Sequence, residues 1–108
     1  MLTSGQGAGA MPEELAYAVS KGAIHQMTRT LAAHLMHRGI TVNTINPGPT
    51  HTGWADAATQ AEVERLMPTG RWGLPADAAR LIAMLCSDEA AWVTGQVIDS
   101  EGGFNRYA

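Results

Sequence analysis

The sequence lacks the features that mark several broad classes of protein. Its 108 residues contain one cysteine, Cys86, which excludes an internal disulfide and offers no cluster of metal ligands. No apolar stretch approaches the ~20 residues needed to span a bilayer. The first residues show no basic segment leading into an apolar one, as a signal peptide would. A cytoplasmic location is therefore the default expectation.

Runs of like charge are missing as well. The net charge is −3, and the charged residues, 16% of the chain, are dispersed along it. A nucleic-acid groove or a membrane-surface patch requires clustered basic residues, so we expect neither nucleic acid nor membrane as a partner. His34 and His37 lie three residues apart, but no acid or cysteine joins them in the sequence, and we expect no metal site. Cys86 lies in an apolar run and is expected to be buried.

What the sequence does contain is a hydrophobic content of 45%, ordinary for one small globular domain over residues 1–108. Its patterns predict alternating strands and helices. The elements are a strand ending at Ser4, a helix from Ala16 to His37, a strand from Ile40 to Asn46, helices from Trp54 to Met67 and from Ala76 to Cys86, and a strand from Gln96 to Asp99. In the long helix, a stripe at spacings of three and four is expected to face the core: Ile24, Met27, Leu31 and Leu35.

Strands that alternate with helices predict an α/β fold with a parallel sheet and right-handed crossovers. In open sheets of this kind, ligands bind beyond the carboxyl ends of the strands. Ser4 and the segment Asn46-Pro47-Gly48 both follow strands, and the long helix begins at that same edge. The sequence thus predicts that these features meet in one crevice.

The crevice would bring Ser4 close to Tyr17 and Lys21. The tyrosine and the lysine are four residues apart, so a helix places them on one face. A nearby ammonium stabilises a phenolate, and a tyrosine tuned in this way can donate or accept a proton near neutral pH. A serine hydroxyl can hold the oxygen whose protonation changes. Together these three side chains suit the interconversion of alcohols and ketones.

These residues also carry a family resemblance. Ser4 lies thirteen residues before Tyr17, and the chain contains the segments VNTINPG, RWGLP and VTGQVID together with Thr52. With these motifs the chain resembles the C-terminal half of the short-chain dehydrogenase/reductase family. The similarity runs over essentially the whole chain and is close to bacterial members related to 3-oxoacyl-carrier-protein reductase.

The resemblance implies a role for each matching position. Tyr17 would be the general acid/base, Ser4 would hydrogen-bond the substrate oxygen, and Lys21 would support the Tyr17 phenolate and bind the nicotinamide ribose. The cofactor-binding residues implied are Tyr17, Lys21, Pro47, Gly48, Thr50 and Thr52. The substrate contacts implied are Ser4, His51 and Trp54, with Trp54 and Met67 forming an apolar wall.

Part of the family pattern has no counterpart in this sequence. The phosphate-binding Gly-x-x-x-Gly-x-Gly turn is absent, and the glycines from Gly5 to Gly9 run into Pro12 and two acids rather than into bare helix amides. We therefore expect a partial Rossmann-like fold, the C-terminal catalytic half without the N-terminal dinucleotide-binding half. NAD or NADP is expected to bind only where that half is supplied.

Two functions follow as hypotheses. In the first, the chain is the catalytic half of an NAD(P)-dependent oxidoreductase that acts on a small carbonyl or secondary alcohol. In the second, it is a truncated, non-catalytic fragment that binds a partner or itself. The helix from Ala16 to His37 is the expected surface for a homo-oligomer, because the resemblance matches it to the helix that family members use in dimers.

Overall fold

The structure, a computed structural model, describes residues 1–104 and is an α/β fold with a parallel sheet, as predicted. Its strands are β1 (Thr44–Asn46) and β2 (Val97–Asp99). Its α-helices are α1 (Leu15–Leu35), α2 (Ala57–Leu66) and α3 (Pro75–Leu85). Short 3-10 turns cover Gly5–Gly7, Met36–Arg38 and Asp88–Ala90.

β1 lies at the centre of the sheet. It pairs in parallel with β2 on one side, Ile45 opposite Ile98. On the other side, Leu2 forms a single parallel bridge with Ile45, and the Thr3 N–H donates to the Ile45 carbonyl at 2.9 Å. The carboxyl ends of three parallel segments therefore meet at one edge, which confirms the predicted α/β arrangement.

β1 is shorter than predicted because the residues before it are held by side chains rather than by a strand ladder. The Thr94 hydroxyl accepts from the Val42 N–H at 3.0 Å. The Asn43 side chain donates to the Val93 carbonyl and accepts from the Gln96 N–H. Residues 40–43 therefore run alongside residues 93–96, just before β2, without forming a regular strand.

α1 packs on the face of the sheet to which Thr44 belongs. The Thr28 and Thr44 hydroxyls are 2.7 Å apart in a hydrogen bond, and both residues are fully buried. Gly95 lies so near the helix that an added Cβ would be 3.5 Å from Ala32 Cβ. The predicted core stripe is thus wrong in part, because the buried face is centred on Thr28 and Ala32 while Met27 is 40% exposed.

α3 and the opposite face of the sheet border a cavity of about 680 Å³, lined in part by Ile45 and Leu85. Cys86 follows α3 at the rim of this cavity and is exposed, so the expectation that it is buried is wrong. The reason is its position one residue past the helix, where its N–H donates back to the Ile82 carbonyl and its side chain faces the open cavity. Of the helices described, none is long and apolar enough to cross a membrane.

Candidate active site

One cavity of about 510 Å³ opens where the segment ends meet. The predicted site residues in its wall are Ser4, Tyr17, Pro47, Gly48, Thr50, Thr52 and Trp54. The other lining residues are Gly5, Met11, Glu14, Asn46, Pro49, Val63, Trp72 and Phe104. The fold therefore gathers residues from widely separated parts of the chain, as expected for a crevice beyond the strand ends.

Ser4 is positioned by the polar residues on either side of it. Its N–H donates to Gln6 Oε1 at 3.1 Å. The neighbouring Thr3 is buried, and its hydroxyl donates to the Lys21 carbonyl at 3.0 Å. Because that carbonyl belongs to α1, the contact ties the end of the first segment to the helix that carries Tyr17.

Tyr17 lies in the first turn of α1 and is 44% exposed. Lys21 Nζ is 5.7 Å from the centroid of the Tyr17 ring, so the predicted i,i+4 pair forms. The ammonium also donates to the Leu2 carbonyl at 3.4 Å. That hydrogen bond ties Lys21 to the first segment of the chain. Lys21 does not line the cavity described above.

His51 is the other predicted residue outside the cavity wall. It is exposed, and its ring centroid lies 6.4 Å from that of Trp72. Its N–H donates to the Gly73 carbonyl at 2.8 Å, so its backbone rather than its ring contributes to the site.

Residues 49–51 of the 47–52 loop pair with the segment around Gly73. The Gly73 N–H donates to the Pro49 carbonyl at 2.9 Å, and Thr50 and Gly73 form a parallel bridge. An added Cβ at Gly73 would be 3.0 Å from the Pro49 oxygen. This close approach holds the 47–52 loop against the cavity.

Asn46 is a site residue to which sequence reasoning gave no role. It is buried, and its Nδ2 donates to Asp99 Oδ1 at 2.9 Å and to Glu101 Oε2 at 3.0 Å. Its Oδ1 accepts from the Gly48 N–H at 3.1 Å. One amide thus joins the 47–52 loop to two carboxylates, one at the last residue of β2 and one two residues after it. A polar residue at the end of a buried strand was the only sequence signal for this role.

Two tryptophans form the outer wall of the cavity. Trp72 is 5% exposed and its Nε1–H donates to the Gln60 carbonyl at 3.0 Å. Trp54 is 65% exposed, and its ring centroid is 5.6 Å from that of Trp72 in an edge-to-face arrangement. Met67, predicted to share the wall with Trp54, is instead buried beneath Gly102, so that expectation is wrong. Trp72 lines the cavity together with Trp54 instead, and its hydrogen bond to Gln60 fixes the position of its ring.

Acidic groups occupy the N-termini of the three α-helices. Glu14 precedes α1. At α2, hydrogen bonds from Thr59 lower the pKa of Asp56. At α3, hydrogen bonds from the Arg71 guanidinium and then from the Leu74 N–H lower the pKa of Asp77. Glu14 makes no capping hydrogen bond, whereas the Asp56 and Asp77 carboxylates accept from backbone N–H groups at the starts of α2 and α3. Those two helix ends therefore do not offer bare amides to a phosphate.

Comparisons with known proteins agree with this fold. Residues 1–105 match the family described as enoyl-(acyl carrier protein) reductase. The uncharacterized oxidoreductase YjdA of Bacillus subtilis is 54% identical over 105 residues, which are 97% of this chain and 42% of YjdA. The chain thus spans less than half the length of this relative.

Solved structures give the same result. The angucycline C-6 ketoreductase LanV with bound NADP superposes with a TM-score of 0.87 at 36% identity, over 95% of this chain and 41% of that one. A 3-oxoacyl-[acyl-carrier protein] reductase with bound NAD from Brucella melitensis gives a TM-score of 0.85 at 36% identity, over 95% and 38%. The match over residues 1–105 and the parallel α/β fold together show that this chain belongs to the short-chain dehydrogenase/reductase family.

Proposed function

We propose that the chain carries the proton-transfer residues of an NAD(P)-dependent oxidoreductase that interconverts a carbonyl and a secondary alcohol. The observation that best supports this is that Ser4, Tyr17 and the 47–52 loop line one cavity. The family membership and the bound cofactors of the solved relatives support the same reaction class.

In this proposal the Ser4 hydroxyl donates a hydrogen bond to the substrate carbonyl oxygen. The Tyr17 hydroxyl gives that oxygen its proton in reduction and takes it back in oxidation. The Lys21 ammonium, 5.7 Å from the Tyr17 ring centroid, favours the negative charge that proton donation leaves on the tyrosine oxygen. A bound nicotinamide supplies or accepts the hydride at the substrate carbon.

The residues fit one end of such a cofactor better than the other. The 47–52 loop offers hydroxyl and backbone groups beside Tyr17, which suit a carboxamide and a ribose. The N-termini of α2 and α3 are capped by carboxylates and do not suit a diphosphate. We therefore propose that full activity needs the part of the family fold that this chain does not match.

The mechanism can be tested with the chain fused behind the part of YjdA that it does not match. Replacing Tyr17 with Phe should lower kcat for ketone reduction by about a thousandfold, within the range for loss of a proton-transfer group and its oxygen contact. Ser20→Ala is a matched control, since the Ser20 hydroxyl lies on α1 but donates only to the Tyr17 carbonyl. Full activity of the Tyr17→Phe protein would show that the assignment is wrong.

A second candidate function is self-association without catalysis. It is supported by the outer face of α1, defined here as Leu15, Val19 and Met27, which are 74%, 64% and 40% exposed. Contiguous apolar patches on a protein surface often mark interfaces. Sedimentation of the 108-residue chain should then give a mass above that of a monomer. The Val19→Glu variant should have a lower mass, closer to that of a monomer.

Trp92→Glu is the control for that experiment, because Trp92 is 94% exposed but lies outside α1. A monomer that binds reduced nicotinamide cofactor with saturation would favour the catalytic proposal and contradict the non-catalytic one.

A further inference from the structure

We propose that the substrate of this site is a neutral ketone or alcohol built on a flat ring system, and not a linear or anionic oxo acid. The inference rests on the proposed function, because it takes the cavity beside Ser4 and Tyr17 as the substrate site. It concerns the aromatic part of the cavity wall, to which Trp54, Trp72 and Phe104 belong.

The first argument is the aromatic character of that wall. Trp54, Trp72, Phe104 and the ring of Tyr17 all line the same cavity. The Trp54 ring packs edge-to-face against the buried Trp72, its Nε1–H donates to the Thr50 carbonyl at 3.3 Å, and the residue is 65% exposed. Aromatic rings attract other flat rings in stacked or edge-to-face arrangements.

The second argument is charge. Among the residues that line the cavity in the described part of the chain, the one charged side chain is that of Glu14. Arg65 and Arg71 are the arginines nearest in sequence to the lining residues Val63 and Trp72. Each forms an ion pair with an acid, Arg65 with Glu62 at 2.7 Å and Arg71 with Asp77 at 2.9 Å. The Lys21 ammonium donates to the Leu2 carbonyl and does not line the cavity. Among the lining residues of the described chain, a carboxylate or phosphate substrate would therefore meet an acid and no cation.

The third argument is size. The cavity of about 510 Å³ lies within the range of about 300–1,000 Å³ for sites that enclose drug-sized molecules, and the part beside the 47–52 loop is the part proposed above for the nicotinamide. A short-chain ketone would leave much of the aromatic wall in contact with water. A bicyclic or larger ring would cover more of that wall.

The proposal can be tested by binding to the 108-residue chain with Trp92 replaced by Phe, so that tryptophan fluorescence reports on Trp54 and Trp72. Three probes differ in shape and charge: 2-tetralone, a neutral fused-ring ketone; 2-octanone, a neutral linear one; and acetoacetate, a small anion. We expect saturable quenching by 2-tetralone, with affinity at least about tenfold higher than for either other probe. Equal affinity for acetoacetate, or no saturable binding of 2-tetralone, would overturn the proposal.

Variants at Trp54 show whether its ring is responsible. Trp54→Phe should keep the 2-tetralone affinity within about twofold, while Trp54→Ala and Trp54→Leu should each lower it at least about fivefold, with Trp72 as the remaining reporter. Circular dichroism checks that each variant is folded, as expected for a side chain that is 65% exposed. Unchanged affinity in the Leu variant would contradict a stacking role.

The outcome is separable from that of the proposed function. Binding of 2-tetralone to the 108-residue chain needs neither cofactor nor proton transfer, so it is measured independently of the activity of the fusion protein. If 2-tetralone binds selectively but the Tyr17→Phe fusion protein still reduces it, the mechanism is wrong and the substrate class stands. If Tyr17 proves essential while acetoacetate binds as well as 2-tetralone, the mechanism stands and the proposed substrate class is wrong.

Discussion

At the scale of single residues, Gly48 makes the closest backbone approach in the site. Its φ is +62°, which L side chains rarely adopt, and an added Cβ would overlap Glu101 Cβ and lie 3.0 Å from Glu101 Cα. The contact brings the 47–52 loop directly against the segment after β2. A side chain at this position therefore has to displace backbone as well as accept an unfavourable conformation.

We expect Gly48→Ala to lower the free energy of unfolding by about 2–5 kcal/mol, the sum of about 1–2 for positive φ and about 1–3 for the overlap. Gly53→Ala is a matched control, because Gly53 has φ +83° but nothing within 4 Å of an added Cβ. Urea denaturation measures both. Equal losses would mean that the contact with Glu101 has no energetic role.

Asn46 determines how two carboxylates can share the same end of the sheet. Replacing it with Asp removes both N–H donors to Asp99 and Glu101 and adds a third carboxylate in a buried position. We expect a loss of about 1–3 kcal/mol of stability near neutral pH, from the lost hydrogen bonds and from repulsion. The loss should shrink on acidification, since the clustered acid is protonated more readily in the folded than in the unfolded state.

Asn43→Asp is the comparison for that variant. The Asn43 side chain hydrogen-bonds to backbone groups of Val93 and Gln96, and among the described residues it has no carboxylate partner. Its backbone carbonyl accepts from the N-terminal ammonium of Met1 at 2.9 Å. The loss of stability in Asn43→Asp, measured by urea denaturation near pH 7 and near pH 4, should depend less on pH. The same pH dependence in both variants would contradict the repulsion.

At the scale of elements, α3 begins at a compact ion-paired turn. Asp77 Oδ2 accepts from the Leu74 N–H at 2.8 Å and from the Arg71 guanidinium at 2.9 Å, and both contacts lower the pKa of Asp77. This turn joins α3 to the segment that carries Trp72. Its charge therefore matters for the wall of the cavity as well as for the helix.

The sign of the pH effect follows from the direction of that shift. A carboxyl whose pKa is lower in the folded state stabilises the fold above its unfolded value, about 3.9 for Asp, and this contribution is lost as the pH falls through the folded value. Asp77→Asn should thus reduce stability near pH 6 and flatten its decline toward pH 3, as followed by urea midpoints. Asp88→Asn, in the separate 3-10 turn Asp88–Ala90, is the control, and an equal flattening in that variant would contradict a specific role of the Arg71 contact.

At the scale of the whole molecule, the order of elements could be predicted because each has a clear local pattern. α1 ends as expected, with Gly39 at φ +71° beyond the closing turn. What local patterns could not predict is which face of a helix is buried. Ile24, Met27, Leu31 and Leu35 are the more apolar stripe, yet Thr28 is buried because its hydroxyl bonds to Thr44, a tertiary contact.

The candidate site shows the same division. Motif spacing was sufficient to collect Ser4, Tyr17 and the 47–52 loop, since all lie beside predicted strand or helix ends. It could not predict the roles of Asn46 or Trp72, whose partners are 53 and 12 residues away in the sequence. It also could not predict that Lys21 would bond to the Leu2 carbonyl.

At the same scale, we propose that the site binds only the nicotinamide half of a dinucleotide. For the 108-residue chain we expect NADH and reduced nicotinamide mononucleotide to bind with dissociation constants within about threefold of each other. The sequence has no phosphate-binding glycine turn, and carboxylates cap the N-termini of α2 and α3. Energy transfer from Trp54 and Trp72 to the reduced ring measures both dissociation constants. In the fusion with the unmatched part of YjdA, NADH should bind at least about tenfold more tightly than the mononucleotide. A comparable preference for NADH in the chain alone would mean that a phosphate site exists within it.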